Sequence, residues 1–273
     1  MKFLNKKYYF VYVGSFIILS MIIMAIFAPL FSSQDPNYMD LSKRFLAPTS
    51  GHIFGLDQNG SDVFSKVVYG ARVSLLVAIF VVSISMFLGL IFGSVAGYFG
   101  GKIDQALMRV IDMLYAFPGF LLAIAVVAVL GPSLRNLIFA LCITGWTGYA
   151  RLVRGEVLHL KTREYVQSAR AIGARVPRIL VWHIWPNLLG PLIVQVSFGM
   201  AGTIISESGL SFLGLGVPPD VPSWGALLNS GRQALLDAPH ISIFPGVFIV
   251  LLVLGFNLLG DGLRDILDPK KLS

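Results

Sequence analysis

The chain has 273 residues, of which 56% are hydrophobic and only 13% charged, and its net charge is +7. A soluble domain carries roughly 25% charged residues, so these proportions exclude an ordinary soluble enzyme and indicate a polytopic helical membrane protein. The apolar runs are continuous rather than alternating, which excludes an outer-membrane barrel; the surplus of Lys and Arg is expected in cytoplasmic loops rather than on a nucleic-acid surface; and the single Cys142 leaves no intramolecular disulfide.

A crossing helix needs about 20 mostly apolar residues. The charge-free intervals provide six: Tyr8–Phe31, Val73–Gly101, Met113–Leu134, Asn136–Ala150, Ile184–Ser206 and Ile241–Gly260. The first follows Lys2, Lys6 and Lys7 in the manner of a signal peptide, but its apolar run exceeds the usual ~7–15 residues, so an uncleaved anchor is expected. Ser32 to Arg72 contains Asp35-Pro36 and Ala47-Pro48 and is predicted to be a mostly irregular outer loop. Along the second span, Gly89, Gly93, Gly97 and Gly101 recur every four residues, which predicts a face for close helix packing, within the chain or against a partner. Arg109 and Asp112 at the start of the third span are spaced to pair with each other at the interface, with Asp104 nearby. Gly131-Pro132 predicts a tight turn into a short fourth span, whose flanking Arg135 and Arg151 would snorkel.

Glu207 falls at the outer end of the fifth span. An ionisable group there is a functional candidate by default, and two readings stand: a pathway or gate residue, or a helix-end acid bonded to backbone. The second long outer loop, Val217 to His240, opens with Pro218, Pro219 and Pro222, and its Trp224 is expected at the membrane interface. Gly260-Asp261-Gly262 marks the inner end of the last span, with Lys270 and Lys271 beyond it. With the N-terminus inside, only Lys43, Arg44, Lys66, Arg72, Arg135 and Arg232 of the 21 basic residues lie outside, an asymmetry that predicts both termini in the cytoplasm.

Catalytic chemistry finds no footing. There is no GxxxxGK[ST] phosphate loop, no GxSxG and no HExxH, and the four histidines (His52, His159, His183 and His240) lack zinc-ligand spacing. The chain is therefore expected to hold no catalytic residue, metal or cofactor. The informative stretch is the inner segment EYVQSARAIGARVPRILVWHIWPN, Glu164 to Asn187. Its acid comes early and its Arg170 late, as the helix dipole favours. Gly173 reads as a helix end, and a second helical stretch is predicted from Pro177 to Pro186. Small residues such as Ala169 and Ala171 would let a partner approach closely, the other reading being a solvated loop helix.

This segment resembles the EAA loop of binding-protein-dependent ATP-binding cassette importers, whose pattern is EAA, three residues, Gly, nine residues, Ile-x-Leu-Pro. Ala169, Gly173 and Pro186 match, whereas Gln167, Ser168, His183 and Trp185 depart. A closer resemblance, to the C-type permease subunits for dipeptides, oligopeptides and nickel, covers most of the chain. It rests on FGLDQNGSDVFSKVVYGARVSLLVA (Phe54–Ala78), DQALMRVIDMLYAFPGFLLAI (Asp104–Ile124), ESGLSFLGLGVPPDVPSWGALLNSGR (Glu207–Arg232) and NLLGDGLRDILDP (Asn257–Pro269).

The resemblance implies an all-α, six-span type I importer domain in the bacterial inner membrane. Residues 1–71 would be an N-terminal helix and loop, 72–262 the permease core with its EAA loop at 153–187, and 263–273 a cytoplasmic tail. It implies half a translocation pathway for peptides, nickel or metal chelates. The pathway would be completed by a B-type permease, fed by an extracytoplasmic binding protein and driven by two ATPase subunits that bind ATP and Mg. Glu164, Tyr165, Gln167, Ser168, Ala169, Arg170, Gly173 and Pro186 would couple to the ATPase, and Glu207 remains a pathway candidate. A stand-alone channel or secondary transporter is the competing class, although no internal repeat is visible.

Overall fold

The computed structural model describes residues 2–32, 34–218 and 221–267. Pro219, Lys270 and Lys271 lie outside the described residues, as do the side chains of Lys2, Lys6 and Lys7. The regular elements described are all helical, with isolated bridges at Thr49–His52 and Leu56–Asp62.

The first predicted span forms α1 (Lys2–Ile26), after which Pro29 opens a separate short α2 (Ala28–Phe31). The irregular loop ends sooner than expected, because α3 (Val63–Phe99) starts ten residues before Val73. Asp62 caps it by accepting from Ser65 N at 2.8 Å. At 1.5 Å per residue, α3 is about 55 Å long and outruns the ~30 Å apolar core of a bilayer. Its added turns carry Lys66, which pairs with buried Asp57, and Arg72, which donates to the Ala25 and Ile26 carbonyls at the end of α1. Both charges are answered by partners outside the helix, Arg72 by a distant one, and this is why they looked like loop residues.

The predicted third span is broken. α4 (Gly101–Tyr115) and α5 (Gly119–Leu130) meet at an 80° bend, where Pro118 cannot continue the helix. α5 alone, at about 18 Å, is too short to cross. The turn at Gly131 is present (φ +86°), and Asn136 Nδ2 donates to the Leu130 and Gly131 carbonyls at 3.0 and 2.9 Å. The predicted short fourth span is in fact a long helix, α6 (Leu134–Leu160), which runs ten residues past Ala150.

Beyond α6 come α7 (Glu164–Ala171), α8 (Val176–Ile179), a π-helical turn over Leu180–Ile184, and α9 (Trp185–Phe212). Within the second long loop lies a helix the prolines did not announce, α10 (Trp224–Gly231), before α11 (His240–Leu267). Among the described residues, four helical stretches are long and apolar enough to cross a membrane, and a fifth if the bent α4–α5 pair is one crossing. α6 is long enough but carries Arg135, Arg151, Arg154 and Glu156.

The core is a welded group of helices. α3 packs along α6, and Gly93 and Gly97 allow it: a Cβ on Gly93 would fall 2.8 Å from the Val153 Cβ, and one on Gly97 2.9 Å from the Val157 Cβ. The glycine stripe is thus spent inside the chain, and Gly101 leaves it to open α4. α1 lies against α11 with opposed register, Gly14 facing Gly255 and Leu259 while Ile17 and Ile18 face Gly255. Trp224 is not an interfacial anchor: it is fully buried and donates to the Val67 carbonyl at 2.9 Å.

Candidate functional site: an exposed helix on a buried foot

Helix α7 stands on two residues. Val166 and Ala169, one turn apart, are buried, and Val166 packs in the same cluster as Leu160, Ile179 and Ile184. Glu164, Tyr165, Gln167, Ser168, Arg170 and Ala171 are exposed. The eight predicted coupling residues therefore divide. Glu164, Tyr165, Gln167, Ser168 and Arg170 share the open side; Ala169 faces the bundle; Gly173 lies just past the helix end; and Pro186 sits apart as the second residue of α9. Gln167 is also tied back, its Nε2 donating to the Lys161 carbonyl at 2.9 Å.

Gly173 closes the helix as its position in the sequence predicts. Its φ is +84°, the Gly173 amide donates to the Arg170 carbonyl, and the Ala174 amide donates to the Ala169 carbonyl, both at 3.0 Å. This paired pattern is a Schellman cap, and it needs a left-handed residue. Just before it, Ile172 is 86% exposed, and after it Trp182 is 73% exposed. Sequence reasoning passed over both. An apolar side chain within a charged, solvent-facing segment was the signal available.

The joint from α7 to α9 explains one departure from the general loop pattern, Trp185, and leaves another, His183, with its ring Nδ1 buried and without a hydrogen-bond partner among the described residues. Trp185 Nε1 donates to Ser94 Oγ at 3.0 Å, tying the start of α9 to α3. His183 lies in the π turn, where its carbonyl accepts from Asn187 Nδ2 at 2.8 Å. At the same end, Lys161 Nζ donates to the Gly97 carbonyl at 2.7 Å, satisfying an open acceptor near the end of α3. Asp112 pairs with Arg151 at 2.6 Å, not with Arg109, and the Arg154 guanidinium grips both oxygens of Asp104. The two carboxylates anchor α4 to α6.

Of the two sequence readings of Glu207, the structure corrects the helix-end acid bonded to backbone. Glu207 lies inside α9 rather than at its end and is fully buried. Three hydroxyls donate to its carboxyl group: Ser211 to Oε1 at 2.9 Å, and Ser74 and Ser208 to Oε2 at 3.0 and 3.3 Å. Its partners are side chains, not backbone, and one belongs to α3. It functions here as a clasp between α3 and α9. Among the described residues no group of three His, Cys, Asp or Glu is placed to hold a metal. At the end opposite α7, a polar cavity of about 420 Å³ opens between the first loop (Asn37, Asp57, Asn59) and the second (Asn229, Ser230, Gln233).

Comparison with known proteins gives the context for this geometry. Residues 89–273 match the binding-protein-dependent transport system inner membrane component family. Residues 9–48 match the N-terminal TM domain of oligopeptide transport permease C. The dipeptide transport system permease protein DppC of Alkalihalophilus pseudofirmus is 45% identical over 268 residues, covering 98% of this chain and 88% of that protein. The glutathione transport system permease protein GsiD of Pectobacterium atrosepticum is 45% identical, with 95% and 86% covered. The oligopeptide transport system permease protein OppC of Bacillus subtilis is 42% identical, with 94% and 85% covered. Among solved structures, a chain of the MetNI methionine ABC transporter in inward-facing conformations shares the fold at 17% identity, with a TM-score of 0.61 over 75% of this chain and 98% of that one. The chain belongs to the family of binding-protein-dependent transport system inner membrane components, the multi-pass permeases of ATP-binding cassette importers, which transport rather than catalyse.

Proposed function

We propose that this chain is one half of a translocation pathway for peptides, completed by a second, B-type permease in the bacterial inner membrane. Two cytoplasmic ATPase subunits bind ATP and Mg, and one of them receives α7. An extracytoplasmic binding protein delivers cargo. Six crossings place both termini and α7 in the cytoplasm, with α6 and the bent α4–α5 pair each counted as one. The opposed register of α1 and α11 supports termini on a common side.

The observation that carries this reading is the division of α7 into a two-residue buried foot and an open face of Glu164, Tyr165, Gln167, Ser168, Arg170 and Ala171. An eight-residue helix with so little buried surface has small packing stability of its own, and a docked ATPase supplies what the bundle does not. ATPase closure then moves α7 and, through it, α9 as a rigid body.

The test is to express the chain with its neighbouring transport subunits and purify by a tag on this chain. An ATPase subunit is expected to co-purify, and a cysteine at Ser168 to cross-link to it. The reconstituted complex is expected to take up a dipeptide in preference to nickel. Nickel uptake alone would replace the peptide assignment. An α7 free in solvent in every state of an assembled importer would overturn the coupling role.

A further inference from the structure

Gln195, Gly199, Gly202 and Ser206 lie on one side of α9, because steps of four, three and four residues return to the same face. Together with Thr203 they border a groove of about 250 Å³ whose far side mixes the polar Ser85, Thr144 and Tyr149 with the apolar Val81, Val82 and Leu141 of α3 and α6. Ser85 Oγ is buried at this groove with the Cys142 thiol as its neighbouring polar group, while Tyr149 Oη donates to the Gln195 carbonyl at 3.4 Å. Apart from the Tyr149 phenol, no side chain bordering the groove is ionisable. Gln195 also borders the adjoining recess of about 660 Å³, which contains Glu156 and Arg264.

Lipid cannot cover this face. Large apolar side chains such as Ile79 and Phe80 on α3 and Val247 and Val250 on α11 are exposed and suit hydrocarbon. The Gln195 amide and the Ser85, Thr144 and Thr203 hydroxyls do not, because a polar group left without a partner in hydrocarbon costs free energy, whereas the Ser206 hydroxyl is met by the Gly202 carbonyl at 2.9 Å. Water or protein must stand against this face. A bare divalent cation would want carboxylate or imidazole ligands, and the groove borders contain neither. A hydroxyl both donates and accepts, as a side-chain amide also does through its two ends. Such a wall matches the alternating donors and acceptors of a peptide backbone without reading its side chains.

Building on the importer reading above, we propose that this groove is the stretch of pathway wall contributed by the chain. It passes peptides through hydrogen bonds from uncharged groups and offers no foothold to a bare metal ion. Cys142 is the only cysteine and is buried, so a Cys142→Ala background permits single-cysteine mapping. In the assembled importer, Gln195→Cys, Thr203→Cys and Ser206→Cys are expected to react with a charged methanethiosulfonate about tenfold faster than Phe80→Cys or Val250→Cys, since only a hydrated thiol ionises to the reactive thiolate. Alanyl-alanine, supplied with binding protein and ATP, should remove that advantage. Equal rates at groove and lipid-facing positions would overturn the wall assignment. Protection by nickel but not by alanyl-alanine would overturn the peptide assignment. A Cβ at Gly202 meets no atom within 4 Å, so Gly202→Ala should fold and transport, and Gly202→Trp, in complexes that still assemble with the ATPase, should lose uptake; uptake by assembled Gly202→Trp complexes at the parental rate would overturn the proposal. Failure of the importer reading would be visible separately, as the absence of a co-purifying ATPase.

Discussion

The seam between α3 and α6 and the joint between α7 and α9 are built in opposite ways. Along the seam, glycines bring the two backbones together, and Tyr149, Ala150, Val153 and Val157 are buried over the length of the contact. At the joint, one short helix touches the bundle through Val166 and Ala169 and continues through a π turn whose Trp182 is open to solvent. A contact that tolerates no added methyl moves as one body. A contact of two small side chains leaves its helix free to take its position from something else. On the coupling role proposed above, the bundle is the part that is moved and α7 is the handle.

The most damaging way to break this contrast is on the seam. Gly93→Leu places a Cβ 2.5 Å from the Ala150 carbonyl oxygen and 2.8 Å from the Val153 Cβ, neither of which is a movable side-chain end. Overpacking of this kind costs about 1–3 kcal/mol, and the upper end is expected here. The measurement is thermal or denaturant unfolding in detergent. A Gly93→Leu protein as stable as the parent would mean that the seam is not welded.

Next in size is the clasp. Glu207→Leu removes the acceptor of the Ser74, Ser208 and Ser211 hydroxyls. One buried polar group left unpaired costs about 1–3 kcal/mol. Since a helical serine can turn to the carbonyl one turn back, a loss of about 1–3 kcal/mol is expected for the three together. Glu207→Gln keeps acceptor oxygen in place and should cost less. Dipeptide uptake by the Gln variant, corrected for the amount of protein in the membrane, separates the clasp from the pathway reading. Unchanged kinetics leave only the clasp.

How much of this was legible in the sequence follows from where each side chain finds its partner. α1, α9 and α11 were visible because their apolar runs are continuous and local. The Gly173 cap was visible because its hydrogen bonds join residues three and five apart in the chain. The early start of α3 and the inner half of α6 were hidden, because Arg72, Arg151 and Arg154 are satisfied by the end of α1, Asp112 and Asp104, none of which a local window contains, and because Lys66 pairs with Asp57 across the turn that precedes α3. Trp224 was misread for the same reason: its acceptor, Val67, lies 157 residues away. Of the proposed coupling residues, five share the open face, whereas Ala169 could not be told from them because an alanine fits a foot as well as a docking surface.

On the handle itself, Gly173→Val forces a β-branched residue into φ +84°. The left-handed region costs an L-residue about 1–2 kcal/mol, and the α7 cap is expected to fray while the bundle keeps its unfolding temperature within error. The variant should insert normally yet spend ATP without matching uptake. Parental uptake would show that the angle at which α7 leaves the bundle carries no force.

The smallest effects belong to the two ion pairs between α4 and α6, and their difference tests whether the seam's rigidity extends to α4. Asp104 is 15% exposed and held by two parallel bonds from Arg154, whereas Asp112 is 63% exposed and takes one bond from Arg151, itself 47% exposed. Two fixed bonds with little water around them lose less to solvent and to side-chain freedom than one bond in the open. Asp104→Asn should therefore cost about 1 kcal/mol, and Asp112→Asn no more than about 0.5 kcal/mol, as for other surface pairs. Salt separates them further. At 1 M ionic strength the screening length falls to about 3 Å, which removes most of an exposed pair's attraction and little of a shielded one's. The Asp112→Asn difference should vanish in high salt while that of Asp104→Asn persists. If both vanish, α4 rides on the bundle by surface charge alone and bends with the α5 break rather than with α6.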